Sequence, residues 1–129
     1  MIGLLWVGTL LFSACGQPPE ERLRVAMEAA EIKDMERFAA QFTQRSSDLI
    51  LRLQEVSTRT RGELTYLEDI FSILPRGNVQ RSEDDGQRAV VVVGTETGSS
   101  EIVLLKEGGE WKIDAMSLPR MWEPAGGDG

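Results

Sequence analysis

Residues 104–116 read LLKEGGEWKIDAM, and the way this stretch bends decides the fold. Gly108 and Gly109 sit between Glu107 and Glu110, and a Gly-Gly pair supplies the positive φ angles of a tight hairpin. Glu101–Glu107 and Glu110–Met116 are therefore expected as antiparallel neighbours. In the second arm Trp111, Ile113 and Ala115 alternate with Lys112 and Asp114. That period of two is a strand with one dry and one wet face. Reading backwards, AVVVVG at Ala89–Gly94 is a strand rich in β-branched residues, and Thr95–Ser100 is expected as a longer polar turn. Asp84, Asp85 and Gly86 mark another turn, and Asn78–Arg81 begins the first strand. The C-terminal half thus reads as four antiparallel strands.

Upstream of Pro75 the period is helical. Pro18 and Pro19 followed by Glu20 and Glu21 suit a helix start, since proline tolerates the first helical position and carboxylates favour the positive end of the helix dipole. Leu23, Met27 and Ala30 continue as an apolar stripe. The stripe breaks at Lys33 and Asp34 and resumes out of phase at Met35, Phe38, Ala39 and Phe42, with Asp34 as the N-cap of a second helix. Gln44–Asp48 offers further capping residues for a third helix through Leu49, Leu53 and Val56. A fourth follows the 3, 4, 3 spacing of Leu64, Leu67, Phe71 and Leu74 and stops at Pro75.

Helices first and a meander second give the α+β class, with the helices on one face of a four-stranded antiparallel sheet. The segments AAEIKDMERFAAQFT (29–43), ILPRG (73–77), RAVVVVG (88–94) and LLKEGGEWKIDAM (104–116) together resemble the nuclear transport factor 2-like superfamily, and more closely its small bacterial lipoprotein members of unassigned function. The resemblance implies that the sheet is curved and wraps the helices as a cone with a cavity; it implies no activity, since one fold hosts many functions.

At the other end, residues 10–16 read LLFSACG. The apolar run before Cys15 is too short for a membrane-spanning helix, which takes roughly 20 residues, and has the length of a signal-peptide core. Leu11 to Cys15 resembles the lipobox of bacterial lipoproteins. That resemblance implies acylation of Cys15, cleavage before it, and a membrane-anchored protein of the bacterial cell envelope. Gly16, rather than an aspartate, implies the outer membrane facing the periplasm by the enterobacterial sorting rule. The competing reading is an ordinary buried thiol in an apolar core segment. The chain then divides into a signal peptide (1–14), the lipidated cysteine and a short tether (15–19), one α+β domain (20–116) and a C-terminal tail (117–129).

Composition narrows the chemistry. The 129-residue chain carries a formal charge of −7, which argues against nucleic acid, whose phosphates demand a basic face. It has no histidine and a single cysteine, so nucleophile pairs, zinc ligation and acid-base pairs that need histidine are closed to it. The one tyrosine, Tyr66, reads as a helix-boundary residue rather than an oxyanion donor. Glu83, Asp84 and Asp85 read as a hairpin turn rather than a calcium loop, which needs six or more oxygens at defined spacing. No cofactor and no metal site are expected, and the chain reads as a non-enzymatic binding or protein-interaction module. A carrier of a small apolar ligand is the alternative, and an isomerase-like enzyme comes after it.

Two sets of side chains are candidates for binding. Met27, Met35, Phe38, Phe42, Phe71, Trp111 and Ile113 would line a cavity inside the cone. The strands Val90–Val93 and Ile102–Leu105 are apolar on both faces, whereas helices cover only one, and strands buried on both sides need a second cover. Val91, Val93, Val103 and Leu105, with Met121 and Trp122 of the tail, are the candidate interface. The cover is either the tail itself, a second copy of the chain or another envelope protein.

Overall fold

The computed structural model describes residues 17–60 and 70–121. Helix α1 (Pro19–Glu31) starts as its prolines and first-turn glutamates dictate. It ends at Lys33, whose φ of 58° turns the chain so that Asp34 N–H reaches back to Ala29 O at 2.9 Å, the wrap that closes many helix C-termini. Asp34 is the expected N-cap: its carboxylate accepts Arg37 N–H at 3.2 Å and opens α2 (Met35–Ala39). This helix is a single short turn, and Phe42 falls outside it, forming instead an isolated parallel bridge with Ile113. Helix α3 (Gln44–Thr60) is capped from Thr43, whose hydroxyl accepts Ser46 N–H at 3.2 Å. Of the expected fourth helix, Leu64 and Leu67 lie outside the described residues, and Ile70–Ile73 forms a 3-10 turn.

The sheet is an antiparallel meander in the order β1-β2-β3-β4, with β1 (Asn78–Asp84), β2 (Arg88–Thr95), β3 (Gly98–Glu107) and β4 (Glu110–Ile113). The expected long turn at Thr95–Ser100 is only Glu96 and Thr97, because Gly98 already pairs with Thr95 and Ser99 with Gly94. Glu107 pairs with Glu110 across Gly108 and Gly109, whose φ angles of 61° and 82° are those of a two-residue hairpin. The last strand stops at Ile113, short of Met116, because Asp114 caps a 3-10 turn (Ala115–Ser117) by accepting Met116 N–H at 3.1 Å.

Helix α1 packs across the sheet against β1, β2 and β4. Its buried stripe is Leu23, Ala26 and Ala29, with Met27 and Ala30 at its margin. The periodicity alone favours the larger Met27, but the two alanines let the helix backbone approach the sheet. Opposite them the register aligns Ala89 with Leu104, Val91 with Ile102, and Leu104 with Ile113, and this layer with Phe38, Phe42, Ile50 and Trp111 forms one continuous core.

Candidate functional site

The space expected to be a cavity is filled. Phe38, Phe42, Trp111 and Ile113 are all buried in the core; the Phe38 ring lies 5.0 Å from that of Phe42 and 5.1 Å from that of Phe71. Met35 packs, half-buried, on the same cluster. Only Met27 and Phe71 of the expected set reach an opening, a surface groove of about 300 Å³ between α1 and residues 71–77. Its floor is Met27, Phe71 and Leu74, and Arg24, Glu31 and Arg76 stand at its rim. A wider depression of about 910 Å³ lies at the β2–β3 tip, lined by Ser72, Thr97, Ser99, Arg76, Glu96 and Glu101 together with apolar Ile73, Leu74, Ile102 and Leu118.

The expected interface separates into two faces. Val91 and Val93 point to the helices and are fully buried, so they are core rather than surface. The correction follows from the pleat: side chains alternate, and Val91 shares its face with Ile102 while Val90 shares the opposite one with Val103. The far face therefore carries Val90, Val92, Val103 and Leu105. Met121, with Leu118, is buried in the core beside the helices, so this part of the tail covers the helix side of the sheet and not the far side. Trp122, Tyr66 and Cys15 lie outside the described residues.

On the far face the apolar strip is already partly sheltered. Val92 is only 6 % exposed, and its cross-strand neighbours are Arg81 on one side and Glu101 on the other. Glu83 flanks Val90, and Arg88 and Lys112 flank Leu105. Long charged side chains cover apolar neighbours with their stems while their heads stay in water. Val90, Val103 and Leu105 remain partly buried within this charged frame.

Two polar clusters escaped the reading of the sequence. Arg22 on α1 donates to Gln41 Oε1 at 2.7 Å and approaches Glu110 at 3.4 Å, while Gln41 donates to Arg37 O at 2.8 Å; the Arg22 Nε is buried without a partner. Lys112 donates to Ala40 O at 2.8 Å. These contacts staple α1 and the α2–α3 connection onto β4. The second cluster joins α3 to the strand end: Ser46 Oγ accepts Ala115 N–H at 2.9 Å and the Thr43 hydroxyl at 2.8 Å. Residues so far apart in sequence leave no local pattern, so neither cluster was legible there.

The acidic turn is satisfied by its own backbone. Asp84 accepts Gly86 N–H, and Asp85 accepts the N–H groups of Gln87 and Arg88, each at 2.9 Å. Those donors, Gln87 first and Arg88 next, hold the Asp85 carboxyl below the usual carboxylate range, because hydrogen bonds to the charged form favour it. Among the described residues no group of three or more His, Cys, Asp or Glu is placed to hold a metal ion, and no helix is long and apolar enough to cross a membrane. Comparison with known protein families, with curated proteins and with solved structures found no match to this chain.

Proposed function

We propose that this chain is a lipid-anchored protein of the bacterial cell envelope, held through Cys15 and displayed from the outer membrane into the periplasm. There it acts as a non-enzymatic interaction module on a nuclear transport factor 2-like domain. The observation that carries the interaction reading is the contrast between the two sides of the sheet. The helix side is packed solid with Phe38, Phe42 and Trp111, whereas on the far side Val90, Val103 and Leu105 are only partly buried and are open to another envelope protein or a second copy. Apolar patches rimmed by polar residues commonly mark interaction sites.

The anchor is tested by Cys15→Ala in a bacterial host: the full chain should incorporate labelled palmitate and fractionate with membranes, and the variant should do neither. Unchanged membrane association of the variant would defeat the anchor. The face is tested separately with a photo-crosslinking residue at position 103 or, as a control, at Glu55 on α3. A discrete adduct from position 103 alone supports the face, and no adduct from it counts against the face.

A second reading, a carrier of a small apolar ligand, is favoured by the groove floored with Met27, Phe71 and Leu74. Binding of a fluorescent fatty acid that Met27→Glu abolishes would select it over the first.

A further inference from the structure

Strand β1 is an edge. Among the described residues its only strand partner is β2, whereas the opposite edge, β4, is closed by Gln41 and Thr43, which hydrogen-bond Ile113 at 2.9 Å on both sides. An open edge offers unpaired N–H and C=O groups to another strand. Which groups these are follows from the turn: Asp85 N–H donates to Arg88 O. In the alternation of an antiparallel ladder, Arg81 and Glu83 then turn their main-chain groups to β2, and Ser82 and Asp84 turn theirs to the open side.

Native edges are commonly blunted by proline, by charged side chains, by an inward-pointing charge or by a bulge. The interior of β1, VQRSE at 79–83, has no proline, and its two charged side chains, Arg81 and Glu83, are exposed and of opposite sign. They also lie one on each side of Ser82. An antiparallel copy of β1 centred on Ser82 therefore sets Arg81 against Glu83 of the second chain and Glu83 against its Arg81. Ser82, at the centre, is a residue whose main-chain groups face outward, as a hydrogen-bonded central pair requires. The register bulge between Val79 and Arg81 lies toward the end of the strand and leaves 81–84 regular.

We infer that the β1 edge is a self-association site: two copies of this chain pair β1 to β1 about a two-fold axis at Ser82, joining their sheets into one of eight strands. An isologous interface needs a self-complementary patch, and opposite charges directly across an antiparallel pair are attractive while like charges repel. This site uses the main-chain edge of β1, whereas the far-face reading uses Val90, Val103 and Leu105; Arg81 and Glu83 border both, so Ser82→Pro and Leu105→Glu are the variants that separate them.

The test is sedimentation of the full chain in detergent micelles over a range of concentrations, with circular dichroism to verify folding. The wild type should dimerise. Arg81→Glu and Glu83→Arg should each raise the dissociation constant by about tenfold or more, and the double exchange should return it to within about threefold of wild type. Ser82→Pro removes an outward N–H from the edge strand together with the hydrogen bond of the Ser82 hydroxyl to Glu20 at 2.9 Å; it should keep β1 paired to β2 and abolish the dimer, whereas Ser82→Ala, which loses the hydroxyl alone, should still dimerise. A monomeric wild type overturns the inference. So does a double exchange that folds and stays monomeric, or a dimer that Leu105→Glu dissolves and Ser82→Pro does not. Loss with Ser82→Pro but not with Leu105→Glu supports the edge whatever becomes of the far face.

Discussion

Among the described residues Ser46 is the one side chain with a hydroxyl at zero exposure in the core, and its place shows how a small polar group fixes a tertiary arrangement. Its Oγ receives the Ala115 N–H and the Thr43 hydroxyl, so one atom ties the start of α3 to the point where the chain leaves β4. Removing a buried hydrogen-bond partner costs about 1–3 kcal/mol, the desolvation penalty of the groups left behind. Ser46→Ala should lower the urea midpoint accordingly, with the slope of the transition unchanged; a midpoint equal to wild type would show that the two donors find other acceptors. Asp34 and Thr43 contrast with Ser46. Both are caps whose donor lies three residues on; Asp34 was the expected cap, whereas the cap of α3 is Thr43 and not one of Gln44–Asp48, which lie inside the helix.

At the scale of elements, the 108–109 hairpin does more than reverse the chain. It sets Glu107 opposite Glu110, a like-charged pair that is unfavourable when left alone. The structure draws the two apart: Glu107 accepts Gln44 N–H at 2.9 Å, at the positive end of α3, and Glu110 lies 3.4 Å from Arg22 and 3.6 Å from Lys112. The turn therefore touches both α1 and α3, and its geometry matters to each. Gly109, at φ 82°, should not tolerate a branched side chain: Gly109→Val should cost about 1–2 kcal/mol for the left-handed backbone, measured by thermal denaturation. Gly108→Asn should be near neutral, since Asn-Gly is the preferred pair for this turn. Equal losses from both variants would contradict the assignment.

For the whole molecule, the question left by the strands was what closes the sheet. The answer differs by face. Leu118 and Met121 enter the core, where the 3-10 turn Pro119–Met121 packs against the one at Ile70–Ile73; residues 117–121 are thus part of the helix-side layer. Burying such a side chain is worth roughly 1.5–3 kcal/mol, against a total of about 5–15 kcal/mol for a typical domain. Deleting residues 117–129 should lower the denaturant midpoint sharply and expose apolar surface to a hydrophobic dye. A truncated chain with an unchanged midpoint would place the tail outside the cooperative unit. The far face, by contrast, is sheltered by its own charged frame of Arg81, Glu101 and Lys112.

The sequence by itself determined the elements whose signals are local. The Asp34 cap, the glycine hairpin, the proline start of α1 and the alternation of Trp111, Lys112 and Ile113 all depend on residues within a few positions of one another. It also determined the α+β order and the meander. Tertiary structure decided everything that depends on which face meets what. Four consecutive valines look alike in a linear chain, and only the register separates Val91 and Val93, in the core, from Val90 and Val92, on the far side. Phe38, Phe42 and Trp111 have the same composition whether they line a cavity or fill it; the packing buries all three, with Phe38 in ring contact with Phe42 and Phe71. The Arg22–Gln41 and Ser46–Ala115 contacts join segments 19 and 69 residues apart, and a bond across such a distance exists only once the chain has folded to bring its two ends together.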